Sequence, residues 1–270
     1  MISRKPPAHV LEQLRREVNF GCPVAGCGIP YLTWHHFDPP WSDKPHHNPD
    51  GMIALCMTHH SLAQGERWTK EQLRDLKRSP FVTAEKISET YGYLRKNTVC
   101  IIGNIAYKVQ NVLEINGERV IGFQKDEDGY DRLNVLIRNQ IGEPILVMEN
   151  NFWTVYLKEV WDLRCSAQGK DLEIVSKDGE TNFAMRFNDY PLEEFRKLLI
   201  EHMRNTRMID EFMSEIGVPE NVPVWSVKGR IVWRNGFLKI TDTEIESRGI
   251  VIEGCFFVRC RAALGFHTAA

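Results

Sequence analysis

Two short pairs of metal-ligating residues constrain the fold of the first third of this 270-residue chain. Cys22 and Cys27 are separated by four residues in CPVAGC, and Cys56 and His59 by two in CMTH. Both spacings are typical of tetrahedral structural zinc sites, in which each pair comes from a tight turn and two pairs complete the shell. A small segment rich in Trp and Pro would gain much of its fold from such a metal. We therefore predict a structural Zn2+ site made of three cysteines and one histidine.

The other cysteines and the composition indicate an ordinary folded chain. Seven cysteines, an odd number in a chain of this length, do not make a disulfide framework. Four of them lie outside the metal pairs and are expected to be buried as small hydrophobic side chains: Cys100, Cys165, Cys255 and Cys260. The sequence has neither the apolar core of a signal peptide nor the roughly 20 apolar residues of a membrane span, so we expect a cytoplasmic protein without membrane contact.

The composition of the sequence changes near residue 95. Residues 1–95 are rich in Cys, His, Trp and Pro and carry 12 basic and 10 acidic residues, whereas residues 96–270 carry 22 and 26. In the first part, residues 8–19 and 70–77 have helical patterns, and Thr69 with Gln72 is a capping-box signature at the start of the second helix. We therefore predict one domain over residues 1–95 and another over residues 96–270.

The second domain follows the two-residue period of β-strands. Hairpin turns are predicted at three places: Asn116-Gly117, Gly142 and Asp178-Gly179. Residues 191–216 have the apolar spacing of one long helix, and the tail returns to short strands that are typical of a meander or a β-solenoid. The predicted fold class is α+β, with a β-rich C-terminal region that contains this one helix.

Two pairs of adjacent histidines lie within the metal-rich segment. If CMTHH begins a helix, consecutive side chains point about 100° apart, so His59 could face the zinc while His60 faces an adjoining groove. LTWHHFDPP is predicted as a strand, in which His35 and His36 point to opposite sides unless the segment bends before the prolines. These histidines are therefore candidates for a second site.

The motifs of this segment, taken in order, resemble an HNH endonuclease domain. They are CPVAGC, LTWHHFDPP, HNPDGMIALC and CMTHH, and the resemblance covers about residues 20–78. It implies a ββα-metal fold at the N-terminus, held by structural zinc on the two ligand pairs. It also implies a DNA endonuclease that depends on Mg2+ or Mn2+ and hydrolyses phosphodiester bonds.

Individual roles follow from position in that motif. His36 resembles the general base that activates water, and His35 and His60 resemble ligands of the catalytic cation. A neutral imidazole, with an unperturbed pKa of about 6.5, can accept a proton at cellular pH. The middle asparagine of the family corresponds to Gly51, so Asn48, three residues earlier, is the candidate to supply the amide.

Further predictions surround the motif. His46 and His47 are expected to be exposed loop histidines, and Asp38 is expected to orient an imidazole. A group of basic residues just after the motif is expected either to contact DNA phosphates or to form a solvated helix face: Arg67, Lys70, Arg74, Lys77 and Arg78.

Two alternatives to the endonuclease stay open at this point. In one, the chain is a catalytically inactive zinc-containing module that binds nucleic acid or protein, which Gly51 and the net charge of -2 would suit. In the other, His35, His36 and Asp38 bind a catalytic zinc in a hydrolase of another class. A homo-oligomer formed through the β-rich domain is a further expectation.

Overall fold

Two short antiparallel strands form the centre of the N-terminal part of the chain. The structure is a computed structural model that describes residues 3–103, 105–177, 179–202, 206–233, 236–242, 244–247, 250–252, 256–258 and 264–266. Its first elements are α1 (Ala8–Glu17), β1 (Leu32–His36), a 3-10 turn (Pro49–Gly51), β2 (Met52–Cys56), α2 (Met57–Gln64) and α3 (Lys70–Arg78). β1 and β2 pair antiparallel, from Leu32 opposite Cys56 to His36 opposite Met52.

Local sequence explains why these elements form where they do. The five residues of β2 are apolar and buried, whereas most of β1 is half-buried. α2 begins directly after β2, where the Cys56 sulfur accepts a hydrogen bond from the backbone N–H of His59. At the start of α3, Thr69 and Gln72 form the predicted capping box, and Leu73 anchors the helix by burial.

A small core of its own holds the N-terminal part together. Its buried side chains come from α1, both strands and the two following helices: Val10, Leu14, Val18, Leu32, Phe37, Met52, Ile53, Leu55, Ala63 and Leu73. Trp34 and Trp68 pack against this core while partly buried. The two metal-ligand pairs and strand β1, which carries His35 and His36, therefore belong to a unit with its own hydrophobic core.

Strands dominate the rest of the described chain. In chain order they are β3 (Lys86–Thr90), β4 (Val99–Ile102), β5 (Ile105–Lys108), β6 (Asn111–Ile115), β7 (Glu118–Lys125), β8 (Asp131–Arg138), β9 (Pro144–Glu149), β10 (Phe152–Tyr156), β11 (Val160–Cys165), β12 (Asp171–Ser176), β13 (Thr181–Pro191), β14 (Asn221–Trp233), β15 (Gly236–Ile240), β16 (Ile245–Ser247), β17 (Ile250–Ile252), β18 (Phe256–Val258) and β19 (Leu264–Phe266). The helices α4 (Leu192–His202) and α5 (Thr206–Ile216) lie between β13 and β14. The predicted mixed α+β class is confirmed.

These strands form two large sheets that share one core. One sheet has the order β19-β6-β7-β8-β9-β10-β3, and the other follows β11-β12-β13-β14-β15-β16-β17, with β4 joined to β14 and continued by β5 and β18. Phe123 of the first sheet meets Trp225 of the second edge to face, with ring centroids 5.6 Å apart. From β14 to β17 each strand pairs antiparallel with the next, so this part of the tail is a meander, whereas β18 and β19 pair in parallel with β5 and β6.

Two packed helices replace the single long helix that was predicted over residues 191–216. Arg196 of α4 donates a hydrogen bond of 2.7 Å to Asp210 of α5, although fourteen residues along one continuous helix would lie about 21 Å apart. Phe195 and Phe212 share one buried cluster on the outer side of the second sheet. The prediction of one helix was wrong because apolar spacing is the same on both sides of a chain reversal.

Most turn predictions are confirmed, and one boundary is not. Asn116 and Gly117 join β6 to β7 with positive φ angles, and Gly142 lies between β8 and β9. Gly179 lies between β12 and β13, whereas Asp178 is outside the described residues. The predicted boundary at residue 95 falls after β3, which pairs with β10, and Ile87 of β3 belongs to the core of the β-rich part.

The cysteine predictions can be checked at two of four positions. Cys100 is buried and Cys165 is half-buried, and both are free thiols. Cys255 and Cys260 lie outside the described residues. No helix in the described ranges is long and apolar enough to cross a membrane.

A buried ion pair joins the N-terminal part to the β-rich part. Arg15 of α1 donates two hydrogen bonds, of 2.8 and 2.7 Å, to the carboxylate of Asp162 in β11. Arg164 donates a third, of 2.7 Å, to the same carboxylate. Burial by itself would raise the pKa of Asp162, but the two arginines hold it below its usual range. The carboxylate is therefore charged and fully buried, and it receives the two Arg15 hydrogen bonds only while α1 is docked.

Replacement of Asp162 tests this connection. Asp162→Asn keeps the shape of the side chain but leaves Arg15 and Arg164 without a buried counter-charge, so the free energy of unfolding should fall by about 3 kcal/mol. Urea denaturation measures the change. Asp210→Asn, which breaks the exposed pair with Arg196, is the matched control and should cost at most about 1 kcal/mol. Equal losses in the two variants would show that α1 is not held by this pair.

Candidate metal and catalytic site

Four predicted ligands meet at one point in the N-terminal part. His59 Nδ1 lies 3.3 Å from the Sγ atoms of both Cys22 and Cys56, and Cys27 Sγ lies 3.8 Å from Cys56 Sγ. All four ligand atoms fall within 4.8 Å of one another. The two pairs, distant in sequence, come together because β2 delivers Cys56 and α2 presents His59 one turn later.

This cluster has the dimensions and chemistry of a metal site. Metal–sulfur bonds of about 2.3 Å in a tetrahedron place two sulfur atoms about 3.8 Å apart, as Cys27 and Cys56 are. Burial raises the pKa of Cys22 to about 12 and also raises that of Cys27, so without a cation these sulfurs would stay protonated. The four residues could therefore hold a metal ion, and a bound cation would supply the charge that thiolates need here.

The pleat of β1 divides the histidines between two sides. His35 contacts His60 of α2, with ring centroids 5.3 Å apart. His36 instead contacts Trp41, His46 and His47, with ring centroids 4.9, 5.2 and 6.0 Å away. The structure therefore brings His35 and His60 together and places His36 in a different group.

Thr33 fixes the orientation of His60. Its Oγ1 donates a hydrogen bond of 3.0 Å to the carbonyl oxygen of Leu55 and lies 2.8 Å from His60 Nδ1. A hydroxyl has one hydrogen, so His60 Nδ1 must be the donor to Thr33, and Nε2 keeps the free lone pair. Thr33 was not among the predicted site residues, although the two-residue period of a strand places it on the same side as His35.

The group around His36 differs from its prediction. His46 and His47 were expected to be exposed loop histidines, but both are half-buried and contact the His36 ring. His46 is fully engaged, because Nδ1 accepts from the backbone N–H of Asn48 at 3.0 Å and Nε2 lies 2.9 Å from the Pro39 carbonyl oxygen. His36 is not, since its buried Nε2 has no hydrogen-bond partner among the described residues.

Both histidines of β1 are held in the neutral form. Burial, together with the charges of His60 and His36, lowers the pKa of His35 to about 4. Burial and the charge of His46 lower the pKa of His36 to about 4, against a backbone hydrogen bond to His46 that raises it. At pH 7 both rings therefore offer lone pairs and carry no positive charge.

Gly51, at the expected asparagine position, has a structural reason to be glycine. Its carbonyl oxygen accepts hydrogen bonds from the backbone N–H groups of Phe37 and Asp38, and an added Cβ would lie 1.9 Å from the Asp38 carbonyl oxygen. No side chain fits there. Asn48 caps the 3-10 turn by accepting a hydrogen bond of 3.2 Å from the N–H of Asp50, so its amide oxygen is already engaged.

Asp38 pairs with α3, and its predicted role toward an imidazole was wrong. Its carboxylate accepts a hydrogen bond of 2.8 Å from Lys70 and forms a second ion pair with Arg74. The Lys70 hydrogen bond, followed by the two positive charges, keeps the pKa of Asp38 low against burial. The alternative zinc centre of His35, His36 and Asp38 finds no support, because these side chains face different groups.

The basic residues of α3 are paired with carboxylates. Lys77 contacts Glu17 at 3.0 Å, donates 2.7 Å to the Pro49 carbonyl oxygen and is only 12% exposed. Arg78 contacts Asp75 at 2.7 Å, and Arg67 lies 5.9 Å from the centre of the Trp68 ring. The expected free basic face is therefore largely neutralised within the protein.

Comparison of the chain with protein-family models, with curated proteins and with solved structures gave no match. In the described part of the chain, the Cys22 cluster is the one group of three or more His, Cys, Asp or Glu ligands close enough to hold a metal ion. The geometry of this site is therefore the basis on which a function can be proposed.

Thr33 offers a direct test of the His60 geometry. Thr33→Val removes the acceptor for His60 Nδ1–H but keeps the branched shape, so we expect His60 to lose its single tautomer. Thr33→Ser keeps the hydroxyl and should keep the tautomer. Long-range 1H–15N NMR spectra of the imidazoles measure this directly. An Nε2–H tautomer for His60 in the parent protein would contradict the assignment.

Proposed function

We propose that this chain is a divalent-cation-dependent DNA endonuclease of the HNH type, in which His36 is the general base. One observation carries the proposal: the strand that pairs His35 with His60 on one side presents His36, with a buried and unpartnered Nε2, on the other. One side thus offers ligands for a cation and the other a proton acceptor. The order β1, β2, α2 also agrees with the expected ββα arrangement.

His36 has the properties that proton abstraction from water requires. It is neutral at pH 7, and its ring packs against the rings of Trp41 and His46. The His46 ring is held in turn by hydrogen bonds with the Pro39 carbonyl oxygen and the Asn48 N–H group, so its position beside His36 is fixed. His36 would take the proton of the attacking water and so make its oxygen nucleophilic toward phosphorus.

The donor set on the other side fits one class of cation. His35 and His60 both offer imidazole nitrogens, which first-row transition-metal ions accept more readily than Mg2+, an ion that prefers oxygen ligands. When bound, such a cation would stabilise the extra negative charge on the phosphate and assist the departing oxygen. The chain supplies a pre-oriented Nε2 on His60 through Thr33, which reduces the reorganisation needed on binding.

We further propose that the ion held by Cys22, Cys27, Cys56 and His59 is a structural Zn2+. Thiolate and imidazole ligands in a closed tetrahedron are typical of such sites. His59 and His60 are adjacent on the first turn of α2, so fixing His59 at the zinc also fixes where His60 points. The zinc would act on catalysis only through this position.

DNA contact through α3 remains part of the proposal for its more exposed residues. Lys70 and Arg78 are 55% and 62% exposed and could exchange a carboxylate partner for a phosphate. Arg67 and Arg74 also follow the motif in the sequence, and the side chain of Arg74 is 35% exposed. Lys77 is the exception, because its burial between Glu17 and Pro49 gives it a structural role.

The inactive zinc-containing module is a second candidate with an observation of its own in favour. Gly51 admits no side chain and Asn48 is engaged in a cap, so the expected third ligand is missing from the His35–His60 side. In this alternative the chain binds nucleic acid or protein without cleaving it. A cytoplasmic location and a homo-oligomer formed through the β-rich region are proposals under either function.

Zinc content tests the structural site. Cys56→Ser removes the sulfur that contacts both Cys27 and His59, so the purified protein should retain well under one equivalent of zinc. Residues 20–78 should then become sensitive to protease. Elemental analysis with limited proteolysis measures both. Cys165→Ser, outside the cluster, is the control, and a full equivalent of zinc in Cys56→Ser would refute the assignment.

Plasmid cleavage tests the catalytic assignment. With Mn2+, the parent protein should nick plasmid DNA and EDTA should stop the reaction. His36→Ala should lower the rate by at least about 100-fold without changing Mn2+ affinity, since the base contacts only water. His60→Ala should weaken both cleavage and Mn2+ binding. If neither the parent nor any variant cuts under these conditions while zinc is present, the inactive module is the better description.

A further inference from the structure

The N-terminal segment before α1 is tied to the histidine group. The carbonyl oxygen of Ser3 lies 2.8 Å from His47 Nε2. Since a carbonyl can only accept, Nε2 is the donor, and His47 in its neutral form is left with a lone pair on Nδ1. That Nδ1 is buried and has no partner among the described residues. Two unpartnered imidazole nitrogens, on His36 and His47, therefore occupy the same side of β1.

Arg4 is held next to these histidines from both directions along the chain. Ser3 is anchored at His47, and Pro6 is buried directly before α1. The Arg4 side chain between these anchors is exposed. Arg4 follows Ser3 directly in the chain, so it lies beside His47, whose ring centroid is 6.0 Å from that of His36.

The charge environment of Arg4 differs from that of the other cations nearby. Lys70 and Arg74 are paired with Asp38, Lys77 with Glu17 and Arg78 with Asp75. Across the described ranges, no carboxylate lies within ion-pair distance of Arg4, so an incoming anion would not have to displace one. A guanidinium also presents several donors in one plane, which suits two oxygens of a phosphate.

We propose that Arg4 contacts the phosphate at which the DNA is cut, beside His36 and His47. This inference rests on the proposed endonuclease function and names a residue for it that lies outside the motif. The Arg4 guanidinium would bind the phosphate oxygens and neutralise the charge that grows on them in the transition state. His47 Nδ1 would accept a hydrogen bond from the attacking water while His36 removes its other proton.

Binding and cleavage by Arg4 variants test this inference. The full-length protein would be titrated with a fluorescent DNA duplex of about 20 base pairs, in Ca2+ to prevent cleavage, at several salt concentrations. We expect Arg4→Gln to bind several-fold more weakly and to make the slope of log K against log salt shallower by roughly 0.9, the loss of one phosphate contact. In Mn2+, its kcat should fall about 100-fold. Arg4→Lys should keep the slope but recover only part of kcat.

Lys5→Gln is the matched control, because it removes the same charge one residue away. It should leave kcat and the salt slope close to the parent values. If Arg4→Gln behaves as Lys5→Gln does in both measurements, the inference is overturned. A parent protein that cleaves no DNA would instead remove the proposed function, and the salt slope of Arg4→Gln would then decide alone whether Arg4 meets a phosphate.

Discussion

The hydrogen-bonded pairing of β1 with β2 is the constraint from which the candidate site follows. β2 is buried along its whole length, so it fixes β1 in register, with His35 opposite Ile53 and His36 opposite Met52. In a pleated strand, adjacent residues must then point to opposite sides. Two neighbouring histidines thereby enter two different environments, one shared with His60 and one with His46 and His47, without any bend in the strand.

Backbone hydrogen bonds and ion pairs together hold the end of the β1–β2 pair that follows His36. Gly51 accepts from the N–H groups of Phe37 and Asp38, which holds the chain just after His36. The Asp38 carboxylate then binds Lys70 and Arg74, so α3 braces the end of β1, and Lys77 extends the brace to Glu17 of α1. The charges of α3 thus stabilise the position of His36, a role that a count of basic residues does not reveal.

Sequence patterns predicted the parts of this protein that depend on local chemistry. The capping box at Thr69 and the turn at Asn116-Gly117 were confirmed, because each depends on a few adjacent residues. The four predicted cysteine and histidine ligands lie close enough together to hold a metal ion. Features that depend on contacts between distant residues were missed. The partner of Asp38 lies more than thirty residues away, the half-burial of His46 and His47 depends on Trp41 and His36, and the reversal between α4 and α5 leaves no trace in apolar spacing.

The β-rich region is linked to the site although none of its described residues belongs to it. Asp162 of β11 fixes Arg15, and Trp161 beside it accepts the guanidinium of Arg16 on its ring at 3.8 Å and donates 2.8 Å to Glu12. These contacts set the position of α1. The segment that carries Arg4 leads into α1, and its other end, at Ser3, is held by His47. Through α1, the buried carboxylate of Asp162 therefore connects the β-rich region to the segment that carries Arg4.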